Sequence, residues 1–161
     1  MIDVLKNLPD IKIRIIKKGI IIDTKINEIS KKKKIIIFGV PGAFTSTCSN
    51  KHMPDYIRSY NQLKSKGIDD VFCLAVNDPS VMKSWQENYN DKKIILIADG
   101  NADLTKALEL DKDYSASYMG IRSKRFSMFV RDKKIMILNI EESGQYKVSA
   151  PNYIIKQLES I

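Results

Sequence analysis

An α/β fold, one mixed sheet with helices on both faces, is predicted by three features of this chain. Apolar runs of strand length alternate with segments of helical period. The middle runs are unbroken by polar residues, as strands buried on both faces are, and the last two runs form a hairpin followed by a helix. The 161 residues fit a single domain, 1–161, able to bury a substantial core without disulfides or metal, and no repeat or linker divides them.

The elements follow in order. Ile11–Lys17 alternates at period two and turns at Lys18-Gly19 into Ile20–Ile22, an N-terminal β-hairpin. Ile35–Phe38 reads as a buried strand. A helix then runs from Cys48 to about Lys64 and stops at Gly67, with Pro54 kinking or breaking its first turns. Val71–Val76 is a strand buried on both faces, which makes Cys73 an inert core thiol. Pro79 opens a helix whose Val81, Met82, Trp85 and Tyr89 share one apolar face. Ile94–Ala98 is a strand, and Asn101 or Asp103 caps Leu104–Leu110. Phe126–Val130 and Ile135–Ile140 pair through an Asp132-Lys133-Lys134 turn, and Pro151 opens a last helix through Leu158.

Composition narrows the function classes. Hydrophobic residues make up 43% and charged residues 29%, ordinary for a water-soluble globular protein. No run is long enough to cross a membrane, and Asp3 and Pro9 stand where a secretory signal would be basic and then apolar, so no membrane insertion is expected. The cytoplasm, or an organelle such as a mitochondrion or plastid after removal of a transit peptide, fits equally well. The net charge is +8, and Lys31 to Lys34 form the densest basic run. The lysines are otherwise scattered and no aromatics interleave with them, so the run reads as a solvated turn and no specific nucleic acid is expected. Two cysteines make no disulfide framework.

Chemistry concentrates after the strand at Ile35–Phe38. A Pro/Gly turn leads into Thr45-Ser46-Thr47-Cys48 at a helix start, where unpaired N–H groups, the positive end of the helix dipole and neighbouring hydroxyls all favour an anion. A free thiol is only a few per cent ionised at neutral pH, so such a site suits a thiolate nucleophile. The same residues also suit a plain cap, with Ser46 or Thr47 closing the helix and Cys48 a small buried apolar group.

Pro41, Thr45 and Cys48 stand in a P-x-x-x-T-x-x-C arrangement that resembles the peroxiredoxins, and Pro-Gly-Ala-Phe-Thr-x-x-Cys-Ser is similar to their type-5 branch. Val76-Asn77-Asp78, Lys124-Arg125-Phe126-Ser127-Met128 and Ala150-Pro151-Asn152 resemble family landmarks in the same order, so the likeness spans most of the chain. It implies a thioredoxin fold and a thiol-dependent peroxidase of hydrogen peroxide and organic hydroperoxides, active in antioxidant defence without a bound cofactor or metal. Cys48 would be the peroxidatic nucleophile, Thr45 would present its hydroxyl to peroxide or thiolate, and Pro41 would shield the sulfur. Thr47 and Cys48 would supply backbone N–H donors, and Arg125, chosen over Arg122 and Lys124 by the landmark string, would stabilise the thiolate and donate to peroxide. Phe44 and Phe126 would form an apolar collar, and Gly42 would permit a turn that other residues resist. His52, four residues beyond Cys48, shares its helix face; the sharper reading is a Cys–His pair, while the resemblance makes it a wall of the pocket. A Cys-x-x-x-His metal site lacks a third ligand.

Two departures from the pattern matter. Ser46 stands where many members have proline. Tyr146, Lys147, Val148 and Ser149 occupy the region where type-5 members often carry a resolving cysteine, which implies a one-cysteine cycle completed by an external thiol, glutathione with glutaredoxin or thioredoxin. A homodimer is expected from the resemblance alone. Two rivals remain, a monothiol glutaredoxin-like enzyme and a basic binding module without catalysis; a dithiol oxidoreductase would need a second thiol that Ser49-Asn50-Lys51 does not provide.

Overall fold

The computed structural model describes residues 2–161. Nine strands are β1 (Lys12–Lys17), β2 (Ile20–Lys25), β3 (Lys34–Gly39), β4 (Asp70–Ala75), β5 (Ile95–Ala98), β6 (Asp111–Asp113), β7 (Ile121–Ser123), β8 (Phe126–Arg131) and β9 (Lys134–Ile140). The α-helices are α1 (Ile26–Ser30), α2 (Met53–Ser65), α3 (Pro79–Glu87), α4 (Asp103–Ala107) and α5 (Pro151–Glu159). Seven strands form one sheet in the order β2-β1-β5-β4-β3-β8-β9, parallel through β3, β4 and β5 and antiparallel elsewhere. This is the mixed α/β sheet, hairpin included, that the sequence predicts. No helix among the described residues is long and apolar enough to cross a membrane.

The central strands are buried on both faces because helices cover both. Ile36 and Phe38 of β3 and Cys73 of β4 pack with Tyr56 and Leu63 of α2, Met82 and Trp85 of α3, and Ile154 of α5. Ile35 and Ile37 of the same β3 pack on the opposite face with Ile26 of α1 and Leu104 of α4. Burying each large aliphatic side chain contributes roughly 1.5–3 kcal/mol, so the unbroken apolar runs are what place the sheet at the centre.

Turn chemistry closes the elements. Lys18-Gly19 and Asp132-Lys133 all take left-handed backbone, which gives two-residue turns matched to strand twist. The α2 helix ends as expected at Gly67, φ +92°; the Gly67 N–H donates to the Lys64 carbonyl and the Ile68 N–H to that of Leu63, a Schellman closure.

Four elements depart from the sequence reading. Neither Asn101 nor Asp103 caps α4. Asp99 does so from the end of β5, accepting from the N–H groups of Leu104 (3.1 Å) and Thr105 (2.7 Å) and from the Thr105 hydroxyl (2.6 Å). The α4 helix also stops at Ala107, short of Leu110. The short α1 and the exposed β6–β7 pair have no sequence counterpart, since five residues and three residues carry too little periodicity.

Candidate active site

The loop after β3 is fixed from several sides before it reaches the thiol. The Asn77 side chain accepts from the Ala43 N–H (2.9 Å), and Arg122 donates to the carbonyls of Met119 (3.0 Å) and Pro41 (3.2 Å). Gly42 is needed for a reason other than the expected turn: a Cβ there would lie 2.6 Å from Arg122 Nη1, so the small residue makes room for the arginine. The left-handed backbone falls instead on Phe44, φ +63°, a sparsely populated conformation for an aromatic residue.

The helical run starts at Ser46, and the Ser49 N–H donates to the Thr45 carbonyl at 2.8 Å. The N–H groups of Thr47 and Cys48 therefore belong to the first turn, beyond the reach of any carbonyl of their own helix. Cys48–His52 forms a π-helical turn before α2, closed by the Met53 N–H on the Cys48 carbonyl. Pro54 accounts for it: a proline lacks the N–H and its ring collides with the carbonyl four residues back, here Asn50, and a widened turn relieves the clash. Ser49 is held from the other side by Trp85 Nε1 on its hydroxyl (3.0 Å) and the Tyr89 hydroxyl on its carbonyl (2.8 Å).

Cys48 is fully buried and uncrosslinked. Arg125 Nη2 donates to its Sγ at 3.3 Å, while Nη1 contacts His52 Nδ1 at 2.9 Å. His52 Nε2 lies 3.1 Å from the Ser149 carbonyl, which can only accept. The imidazole thus carries its proton on Nε2 and accepts from Arg125 at Nδ1. Burial, with the Arg125 charge adding to it, pushes the His52 pKa down to about 3. Ser149 is in turn anchored by Glu141, whose Oε2 accepts from the Ser149 N–H (2.9 Å) and hydroxyl (2.6 Å) and from the Lys147 N–H.

The site residues read from sequence separate into two groups. Arg125, Pro41 and Thr47 line a cleft of about 530 Å³ beside the thiol. Thr45 lies close by in chain, its hydroxyl donating to the Gly42 carbonyl (2.6 Å), which leaves the oxygen lone pairs to accept. The other placements require correction. Phe44 is 52% exposed and forms no collar. Phe126 is buried in the core, with its ring packed where a side chain on Gly39 would stand. His52 is behind Arg125, fully buried, and is neither a wall of the cleft nor a base on the sulfur, because both ring nitrogens are engaged elsewhere.

Arg122, Glu141, Ser149, Trp85 and Tyr89 were not legible as site residues, since each acts through a partner remote in sequence. Cys73 lies on the same face of the sheet as Cys48 and is fully buried; burial pushes its thiol well up, and the charge of Cys48 adds to this. A larger hollow of about 740 Å³ lies between the β1–β2 hairpin and the starts of α3 and α4. Three of its four acidic groups are spent structurally, Asp78 and Asp99 on helix caps and Asp23 on Arg14; the fourth is Asp103, in the first turn of α4.

Residues 6–154 match the family model described as Redoxin. The chain is 46% identical over 134 residues to Peroxiredoxin-2C of Oryza sativa subsp. japonica, 83% of each sequence. Its fold superposes on reduced Prx3 of Vibrio vulnificus in complex with H2O2 with a TM-score of 0.93 at 38% identity, covering 98% of this chain and 99% of that one. It is also similar to the Plasmodium falciparum antioxidant protein, described as a 1-Cys peroxiredoxin, at 28% identity and a TM-score of 0.91, covering 99% of this chain and 100% of that one.

Proposed function

The chain belongs to the peroxiredoxins, thiol-dependent peroxidases of the redoxin family with a thioredoxin fold, and on that premise we propose that Cys48 is the peroxidatic nucleophile of a one-cysteine, type-5-like cycle. The observation that carries this reading is the 3.3 Å contact of Arg125 Nη2 with Cys48 Sγ. A guanidinium held there stabilises a thiolate and offers a donor to the peroxide oxygen that gains charge.

Attack of the thiolate on one peroxide oxygen breaks the O–O bond, and the departing oxygen leaves as water or an alcohol after taking up the peroxide proton. Cysteine is oxidised to sulfenate as the peroxide is reduced. Thr45, its own proton committed to Gly42, accepts from the peroxide hydroxyl, and the first-turn N–H groups of Thr47 and Cys48 oppose the developing negative charge. Pro41 limits water at the sulfur.

Tyr146 to Ser149 contain no thiol and Cys73 is sealed in β4, so resolution falls to an external thiol. Glutathione with a glutaredoxin suits this better than thioredoxin, since a small thiol forms the mixed disulfide first. Hydrogen peroxide and small organic hydroperoxides are the substrates that fit a covered thiol. Stopped-flow oxidation of the reduced protein, followed by intact-mass analysis, tests the reading: oxidation far faster than a free thiol, with one oxygen added at Cys48, is expected. A rate no faster than a free thiol overturns it and favours the glutaredoxin-like or binding-module alternatives.

A further inference from the structure

Lysines that are scattered in the sequence meet at one end of the fold. The strands β3, β4 and β5 all begin there, and their antiparallel neighbours turn there, through Lys18-Gly19 and Asp132-Lys133. Basic segments 17–18, 31–34, 64–66, 92–93 and 131–134 therefore converge, bringing about half of the chain's 27 basic residues to the end opposite Cys48. The close of α2 is tied in by Lys64 Nζ, which donates to the Asp69 carbonyl (2.6 Å), and Lys92 approaches the Gly19 turn.

The carboxylates at this end do not balance them. Asp70, Asp91 and Glu159 each pair with one lysine, Lys33 (3.5 Å), Lys93 (3.4 Å) and Lys66 (3.0 Å), Asp69 and Asp132 accept the backbone N–H groups of Lys34 and Lys32, and Glu87 closes α3. Lys17, Lys18, Lys31, Lys32, Lys92 and Lys134 stay exposed, with no side-chain ion pair or hydrogen bond among the described residues. Acidic side chains stand at the other end, Asp78, Asp99 and Asp103 around the hollow and Glu141 and Glu142 beside the cleft, so charge is polarised along the strands.

Aliphatic side chains stand exposed among these lysines. Ile20 is 63% exposed just past the Lys18-Gly19 turn, Leu5 is 65% exposed beside Ile135 at the start of β9, and Ile161 is 59% exposed just past the Glu159–Lys66 pair. A single-stranded nucleic acid needs an aromatic face on which bases stack, but the Tyr60 ring at this end is flanked by Lys64 Nζ and Lys93 Nζ, 5.9 and 5.8 Å from its centre. Ammonium groups around protruding aliphatic chains match instead a bilayer of anionic lipids, where headgroups meet the charge and short apolar chains enter the interface. We propose that this end is a peripheral membrane face, which seats the protein on an anionic lipid surface through lysines such as Lys18 and Lys92, with Ile20 entering the headgroup layer. So oriented, the cleft beside Cys48 faces the water layer and stays open to soluble peroxide.

The test is co-sedimentation with sucrose-loaded vesicles, either phosphatidylcholine alone or an equimolar mixture with phosphatidylserine, with retention on duplex DNA measured in parallel. The native protein should sediment with the mixed vesicles, stay free of phosphatidylcholine alone, and be released as salt rises. Lys18→Glu combined with Lys92→Glu should weaken vesicle binding at least about tenfold. Lys12→Glu combined with Lys25→Glu, an equal change of charge at the other end, should leave it within about twofold. Ile20→Ser should weaken vesicle binding about fivefold and leave retention on DNA as it was. Binding that ignores phosphatidylserine overturns the proposal, as do equal losses in the two double variants, which would show that net charge acts and not this face. Native vesicle binding by Ile20→Ser, or tighter retention on DNA than on the mixed vesicles, overturns the lipid assignment in favour of a nucleic acid or general polyanion surface.

Discussion

His52 holds Arg125 through its unprotonated nitrogen, Nδ1 accepting from Nη1 over 2.9 Å, so the imidazole must stay neutral for the arginine to face the thiol. The unfolded imidazole titrates near 6.5 and the buried one near 3, so below pH 6.5 the unfolded chain binds a proton that the folded chain does not. Stability should therefore fall as pH drops from about 6.5 toward 3, at up to about 1.4 kcal/mol per unit. Glu141 is also low, because hydrogen bonds from Ser149 and the 147–148 backbone outweigh the burial that raises it; its contribution is lost only once pH falls below the ordinary carboxylate range. Urea midpoints between pH 6.5 and 5 thus isolate the histidine, and His52→Gln should flatten the slope there. Parallel curves for the two proteins would exclude the assignment.

Replacing Arg125 with Met removes the donor 3.3 Å from Cys48 Sγ. Peroxide reduction should slow by at least about a hundredfold, the usual effect of losing one donor to developing charge. Stopped-flow rates at fixed pH measure it, and an unchanged rate would shift the role to Arg122 or Lys124.

Cys48→Ser should abolish peroxide turnover, whereas Cys73→Ser should leave it within a few-fold, because burial keeps the Cys73 thiol protonated. If Cys73→Ser were the inactive variant, the two roles would be reversed.

Oxidised protein should persist as Cys48 sulfenic acid, or as a mixed disulfide when a small thiol is present. Excess peroxide should then add two or three oxygens in total, giving sulfinic and sulfonic acid. Non-reducing mass spectrometry decides the matter; loss of two hydrogens with an intrachain Cys48–Cys73 link would defeat the one-cysteine cycle.

Gly39→Ala tests the packing beneath the site. Its Cβ would lie 2.0 Å from the Phe126 ring, which is fully buried and has no space to withdraw. A loss of roughly 1–3 kcal/mol is expected, as in other overpacked cores. Phe126→Leu in the same protein should recover part of it, and equal denaturation midpoints for Gly39→Ala and the native protein would contradict this packing.

The strands, the hairpin turns and the helix start that carries Cys48 were legible because each is encoded locally. Ile35–Phe38 and Val71–Val76 declare two-sided burial by composition, Gly67 marks a helix end, and a cysteine after Thr-Ser-Thr marks a helix start. The cap of α4 was misread because Asp99 reaches it from the preceding strand, whereas the nearer Asn101 and Asp103 leave its N–H groups to Asp99. Gly42 was read as a backbone requirement when the constraint is the space taken by Arg122, eighty positions away in the chain.

The sequence by itself determined the α/β class, the thiol and, through the family string, the choice of Arg125. Tertiary structure decided what those groups do to one another. Whether His52 is a base, a wall or a support depends on which atoms its two nitrogens meet, and those belong to β8 and to the segment before α5. Local periodicity carries no record of such meetings, because hydrogen bonds between remote segments depend on distances that exist only after the sheet and its helices have packed.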